Sequence, residues 1–499
     1  MKQLLILSLA FLAITGCRKI EADGEKEIVI VNQPVISTGP TANTITLSGR
    51  ITKDTTLYAK DYNYLQGFVY ITNGATLTIE EGSKVMGKLS GSDVSALIIC
   101  RGGKIIAKGT VDKPIVFTAA SANPRPGDWG GIIICGKAPI NTSATVNNVA
   151  VQGLFTVEGG VDNANGDGLA GSGDAVAPTP IINDNSGILS YVRIEYAGSA
   201  PQTDKEINGL TMAAVGSGTQ IDHVEVAFGR DDSFEWFGGT VNCKYLIAYK
   251  GQDDDFDTDN GYSGYVQFGI AVRDSTIADV SKSEAFESDN NATGTTASPK
   301  TTAVFSNMTV IGPRATLNNI GNDYFLAGAQ IRRNSGISIM NSIFMGWPRG
   351  ILVDASTGTP TDNNIADSTI RFKNNTFAGN TVNVAYSASA STPTGASATS
   401  MLGWVSTSSY QNTIATNAVD AKLISPFSYS MFDVTPYAGT AAPSSITLGT
   451  TAHFNYAGNG SFTDAKLQNA FLKQVTFRGA IGLSGEDATW WKGWAKFNY

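Results

Sequence analysis

Short apolar runs alternate with polar turn residues along almost the whole chain. Ile45-Thr-Leu-Ser-Gly49, Gly67-Phe-Val-Tyr-Ile-Thr72, Ala75-Thr-Leu-Thr-Ile79, Ala96-Leu-Ile-Ile-Cys100, Lys104-Ile-Ile-Ala107 and Ile115-Val-Phe-Thr118 each read as one short strand. The turns between them contain Gly, Asn or Asp, as short strands require. Later segments share a polar-then-apolar frame: Leu189–Tyr196, Ile221–Ala227, Val241–Ala248, Val304–Ile311, Ile339–Met345 and Ile370–Phe377. In most of them Asn or Asp recurs just before the second apolar pair. Hairpin sheets and a parallel solenoid both fit short strands. Repetition at coil length favours the solenoid, and stacked Asn side chains suit a parallel β-helix.

One stretch carries the repeat most plainly. Asp-Asp-Ser-Phe234-Glu-Trp, Asp-Asp-Asp-Phe256-Asp-Thr-Asp-Asn-Gly and Ser-Glu-Ala-Phe286-Glu-Ser-Asp-Asn-Asn align on a phenylalanine, with spacings of 22 and 30 residues. In-register stacking would bring equivalent positions to ~4.8 Å. Asp232, Asp254 and Glu284 then form one column, Glu235, Asp257 and Glu287 a second, and Asp259 and Asp289 a third. Carboxylates that close need protons, cations or wide exposure to water.

The expected fold is therefore all-β: a right-handed parallel β-helix with surface loop insertions and a Trp-rich C-terminal cap. Val157 to Asn185 and Tyr386 to Ser400 read as the insertions, and Trp404, Trp490, Trp491 and Trp494 as the cap. Composition agrees, with 54 Gly among 499 residues and 16% charged residues. A net charge of -8 without a basic cluster argues against nucleic acid as a partner. Two histidines, His223 and His453, leave little for a multi-His metal site.

Lys2, the apolar run Leu4–Ile14 and Ile14-Thr-Gly-Cys17 read as a lipoprotein signal, with cleavage before Cys17 and lipid on its sulfur. The expected organisation is a signal peptide over 1–16, a lipid-anchored tether over 17–42, the β-helix over 43–400, and C-terminal coils and cap over 401–499. That places the protein in the cell envelope, anchored to the outer membrane through Cys17 and open to surface exposure. Cys100, Cys135 and Cys243 read as buried thiols rather than a disulfide framework, with a Cys100–Cys135 bridge across adjacent coils as the alternative.

The chain resembles a known group. Gly127-Asp-Trp-Gly-Gly-Ile132, Gly136-Lys-Ala-Pro-Ile-Asn141, Tyr191-Val-Arg-Ile-Glu-Tyr196, Phe234-Glu-Trp-Phe-Gly-Gly239, Val475-Thr-Phe-Arg-Gly-Ala480 and Trp490-Trp-Lys-Gly-Trp494 look like the secreted or lipid-anchored bacterial β-helix proteins common in the Bacteroidetes. The resemblance implies a right-handed parallel β-helix at the cell surface or outer membrane. It supplies no chemistry.

The chemistry must come from the acids. Asp253 to Asn260 packs five Asp and one Asn into eight residues. An all-oxygen set suits Ca²⁺ far better than zinc. The candidate ligands are Asp232, Asp254, Asp257, Asp259, Glu284, Glu287 and Asp289; a solvated acidic face is the alternative. The leading expectation is a calcium-stabilised surface for glycan or an outer-membrane partner protein. The alternative is a calcium-dependent polysaccharide lyase or glycoside hydrolase. There Arg230, Gln252 and Lys282, each four residues before a Phe, border the acids, and Glu235 and Asp257 join Arg230 and Lys282 as catalytic candidates. Arg332, Arg333 and Arg349 lie in later coils and either face the acidic columns or are ordinary surface charge, the preferred reading. Trp236, Phe237 and Trp347 read as sugar-stacking or core residues, and His223 as a coil-edge residue without a special role.

Overall fold

A computed structural model describes residues 41–88, 94–201, 205–314, 317, 318, 322–427, 433–436 and 460–499. The signal peptide, Cys17, most of the tether and His453 lie outside the described residues.

Twenty-six of the described strands join in one sheet that winds as a solenoid. Its pairings are parallel throughout, including Gln220–Ala227 on Asn242–Tyr249, and Phe234–Phe237 on Phe256–Asp259. The fold is a right-handed parallel β-helix, as expected. In the central coils a long strand bends once and a short strand follows it. Apolar residues alternate inward: Val224, Leu246 and Met308 pack in the same core as Phe234, Phe256 and Phe286. The phenylalanine rings stack at 5.7 Å and then 5.2 Å.

The bend is a left-handed residue at the same place in successive coils: Tyr191, His223, Tyr245, Phe268, Asn307, Asn341 and Asn374 have φ between 49° and 62°. Asn tolerates this region and aromatic residues do so rarely. Here the aromatic members stack, with Tyr191–His223 at 4.2 Å, His223–Tyr245 at 4.4 Å and Tyr245–Phe268 at 5.2 Å. His223 therefore has a structural place inside an aromatic column.

Asn side chains form the anticipated ladder nearby. The Asn375 N–H donates to Asn412 Oδ1, and the Ser342 N–H donates to Asn375 Oδ1, each at 2.8 Å. Each side chain thus satisfies a backbone donor of the neighbouring coil, which a buried turn must do.

The Trp-rich segment is not a cap over the end. Residues 460–499 run along the side of the solenoid, across the bend column. Asn341 and Asn307 donate to the Ser461 and Phe477 carbonyls, at 3.0 and 2.9 Å. Further on, Trp490 and Trp494 meet His223 edge-on, and Tyr499 meets Phe228. The end is closed instead by the helix Ala398–Val405, whose Met401 and Val405 enter the core and whose Trp404 packs on Phe372. The bend column exposes rings and amides that only a lateral segment could cover, and this decides where the tryptophans go.

The two insertions also carry structure. Leu154–Thr156 and Leu169–Gly171 form a small antiparallel pair, and Arg101 holds the loop by two bonds to Asp174, at 2.9 and 2.7 Å. Val382–Ser387 is a strand of the last coils, and the second insertion ends in the closing helix. Cys100, Cys135 and Cys243 are free and buried, as read from the sequence.

Phe256 sits in the middle of the ring stack. Phe256→Ala is expected to cost about 3–5 kcal/mol. Urea denaturation of the variant should show a lowered midpoint, and Phe256→Leu should recover part of it.

Candidate functional site

Strand alternation builds the site. In Phe234–Phe237, Phe256–Asp259 and Phe286–Ser288, the residues Phe234, Trp236, Phe256, Thr258, Phe286 and Ser288 are buried. The residues between them must then face outward. The register is Glu235↔Asp257 and Asp257↔Glu287, so the second acidic column stacks as expected. It is neutral at both ends, with Thr211 paired to Glu235 and Gln330 to Glu287.

The first column is a charged version of the Asn ladder. The Asp254 N–H donates to Asp232 Oδ1 at 2.8 Å, and the Glu284 N–H donates to Asp254 Oδ1 at 2.6 Å. One oxygen of each Asp thus supports the backbone. In the third column the Asp259 charge acts on Asp289.

Three sets of carboxylates place an oxygen each within 4.8 Å of one another: Asp231, Asp232 and Asp253; Asp232, Glu235 and Asp257; Asp254, Glu284 and Glu287. Asp231 and Asp253 were not among the expected ligands. The repeated Asp-Asp before each corner was the available signal. Asp257 Oδ1 is buried without a hydrogen bond. Oxygen-only sets of this kind fit Ca²⁺, which takes 6–8 oxygens at 2.3–2.6 Å.

Burial and mutual repulsion raise the acids together. Burial is the larger cause throughout. Asp231 is pushed up to about 8, Asp253 to about 9, Asp289 to about 8 and Asp259 to about 6. Asp232, Glu235, Asp257 and Glu284 are held well above the usual carboxylate range by burial and then by the neighbouring acid, and Asp254 is raised too. The loop carboxylates Glu158 and Glu206 add to the repulsion on Asp231.

The cations beside the acids are not the expected ones. Arg332 pairs with Glu287 and, at 3.1 Å, with Asp289; Arg333 reaches Asp289 at 3.1 Å. For both, facing the acidic columns was the alternative to the preferred reading of ordinary surface charge. Arg349 instead donates to the Leu326 carbonyl at 3.4 Å. Arg230 is exposed, with its stem beside Gly127. Lys282 donates to the Asp323 carbonyl at 3.1 Å and lies over the Tyr324 ring. Gln252 donates to Asp279 at 3.3 Å. Trp236 and Trp347 are core residues, while Phe237 packs under the first insertion against Phe155. Asp255, the remaining acid of the run, is fully buried against Arg273 at 3.0 Å and takes no part in the columns.

A family model, the pectate-lyase-like β-helix domain, matches residues 49–422. The chain belongs to that family. The match covers the whole acidic flank and supports a polysaccharide-related role. Neither the curated proteins nor the solved structures include a match to the chain.

The raised acids set a sign for pH dependence. Each binds a proton in the folded state that it has lost in the unfolded chain, over a window from about 4 to about 9. That contribution to stability is fully present below the unfolded value and is lost as pH rises through the folded one. In chelator, the melting temperature should therefore fall from pH 5 to pH 9. Added Ca²⁺ should leave pH 5 nearly unchanged and raise the melting temperature most at pH 8–9. Scanning calorimetry with and without chelator checks this, and a flat profile in chelator counts against it.

Proposed function

We propose that the acidic flank is a calcium-stabilised surface that binds an acidic glycan at the cell envelope. The observation that carries this reading is the second column, where Glu235, Asp257 and Glu287 stack in register and Asp257 keeps a buried, unbonded oxygen. A divalent cation there relieves repulsion among the carboxylates. A cation with coordination positions left over can also hold a carboxylate from a sugar. Asp232, Asp254, Asp257, Asp259, Glu284, Glu287 and Asp289 are the proposed ligand donors. Membership in a pectate-lyase-like family supports a polysaccharide as the partner. An outer-membrane protein is the other partner consistent with an anchored scaffold.

One observation favours a second reading, a calcium-dependent lyase or a glycoside hydrolase. Arg332 stands beside Glu287 and Asp289, where a cation bordering the acids is needed. A guanidinium engaged with two carboxylates suits charge neutralisation better than proton abstraction. Arg230 and Lys282 make their contacts elsewhere. Binding is therefore the preferred reading.

The anchor is part of the proposal. Lipid on Cys17 would hold the solenoid at the membrane, and no helix among the described residues is long and apolar enough to cross one. Cys17→Ser should move the protein from the membrane fraction to the soluble fraction, as seen by fractionation and blotting.

The glycan reading is tested on immobilised uronate-bearing polysaccharide. The protein should be retained in Ca²⁺ and released by chelator, and Asp257→Asn with Glu287→Gln should weaken retention at least tenfold. Accumulation of unsaturated uronate products, lost in Arg332→Ala, would instead establish the lyase.

A further inference from the structure

The sheet face that the lateral segment covers in the later coils continues into the first coils, where it is open. Lys84 pairs in register with Val116, Val116 with Arg193, and Arg193 with Glu225. At the later rungs the lateral segment lies on this face. Arg193 donates to the Trp494 carbonyl at 3.0 Å, and Glu225 accepts from the Lys496 N–H at 2.8 Å. At the first rungs Tyr62 is 56% exposed, Thr46, Gln66 and Lys84 are exposed, and Tyr64 and Lys88 are half-buried.

The open part of the face carries one sign of charge. The strands Thr44–Ile51, Tyr62–Ile71, Lys84–Lys88 and Ile115–Ala119 contain no Asp or Glu, in a chain whose net charge is -8. The acids of the adjoining corner are engaged there: Glu81 pairs with Lys113 at 3.0 Å, Glu80 accepts from the Ala59 N–H at 2.8 Å, and Asp61 is buried. Among the described residues neither Lys84 nor Lys88 stands in an ion pair. Lys88 is placed by neutral groups of the two preceding coils. Its ammonium donates to Thr46 Oγ1 at 3.2 Å and lies 4.6 Å from the centre of the Tyr64 ring. Thr46 and Tyr64 are register partners, as are Gln66 and Lys88. Hydroxyl, amide and ring groups therefore stand beside the two ammonium groups on one surface.

Open aromatic rings and polar side chains beside ammonium groups, with no acid among them, are complementary to a polyanion built of rings. We propose that this face binds an anionic polysaccharide, with a sugar ring on Tyr62 and carboxylate or sulfate groups on Lys84 and Lys88. The two lysines stand about 13 Å apart along their strand, farther than one sugar ring spans, so the site takes a chain rather than a single sugar. The acidic columns continue a different run of strands, through Leu210–Ala213, Ile132–Cys135 and Ala96–Ile99. The site is therefore separate from them, needs no metal and does not rest on the calcium reading.

Calorimetric titration of the full chain carrying Cys17→Ser tests it, in chelator and low salt, so that neither lipid nor a divalent cation contributes. The probes are a galacturonate hexasaccharide, a sulfated galactose hexasaccharide and a neutral galactose hexasaccharide. At least one anionic probe should bind ten or more times tighter than the neutral one, and the tighter of the two identifies the anionic group. Lys84→Gln with Lys88→Gln, and separately Tyr62→Ala, should each remove at least tenfold of that affinity while melting like the parent. Equal binding of the neutral probe, no binding of either anionic probe, or unchanged affinity in both variants overturns the proposal. So does capture by phosphatidylglycerol vesicles without binding of the hexasaccharides, which would make the face a membrane contact. Failure here leaves retention in Ca²⁺ standing, and loss of that retention leaves this site standing.

Discussion

Everything in this solenoid follows from stacking in register: a side chain at one position meets the same position of the next coil about 4.8 Å away. For Phe234, Phe256 and Phe286 the repetition is favourable, because each ring covers the next. For Asp and Glu it is not. Two carboxylates at that spacing repel by about 3 kcal/mol at an effective dielectric of 20, and burial adds to the cost. The same geometry thus gives both a favourable ring stack and a file of repelling carboxylates, one residue apart. The relief is local and different at each rung. Asp232 and Asp254 accept backbone N–H groups, Arg332 and Arg333 pair with Glu287 and Asp289, and burial followed by the neighbouring acids raises the Glu235 pKa.

The opposite flank solves a different problem. A left-handed residue at each bend costs roughly 1–2 kcal/mol for a side chain other than Gly, and the column has seven of them. Asn307 and Asn341 convert the bend into hydrogen bonds to the lateral segment. Tyr191, His223, Tyr245 and Phe268 convert it into a continuous ring stack, with Trp490 and Trp494 set edge-on against it. The lateral segment and the bend column therefore depend on each other. Without that segment, stacked aromatic rings would face water along several coils.

The solenoid was legible because its signal is periodic: alternation fixes which side chains turn inward, and a repeated Phe fixes which coils stack. The acidic columns followed from the same two facts. What was not legible depends on contacts without a period. Arg332 follows Asp289 by 43 residues, a longer interval than the 22 and 30 residues between the aligned phenylalanines, so that spacing does not set its register. The lateral segment bonds to coils as many as 301 residues away, as in the bond from Arg193 to the Trp494 carbonyl. Its tryptophans mark a need for burial but not the surface that meets it, so a cap over the end and a strip along the side read alike. Asp255 shows the reverse limit. It sits inside an acidic run yet belongs to a buried pair with Arg273, which only the turn geometry separates from its neighbours.

Within the second column the three rungs are not equivalent. Glu235 has like charge on one side, Thr211 on the other, and the Asn208 amide donating to it. Glu287 has Gln330 on its far side and Arg332 against its carboxylate. Asp257 has a carboxylate on both sides, and its buried Oδ1 has no hydrogen bond. Repulsion is therefore greatest, and compensation least, at the middle rung. A proton relieves Asp257 alone, whereas a divalent cation between rungs relieves two or three carboxylates at once. The case for a cation rests on that difference, and it grows as pH rises and protons become scarce.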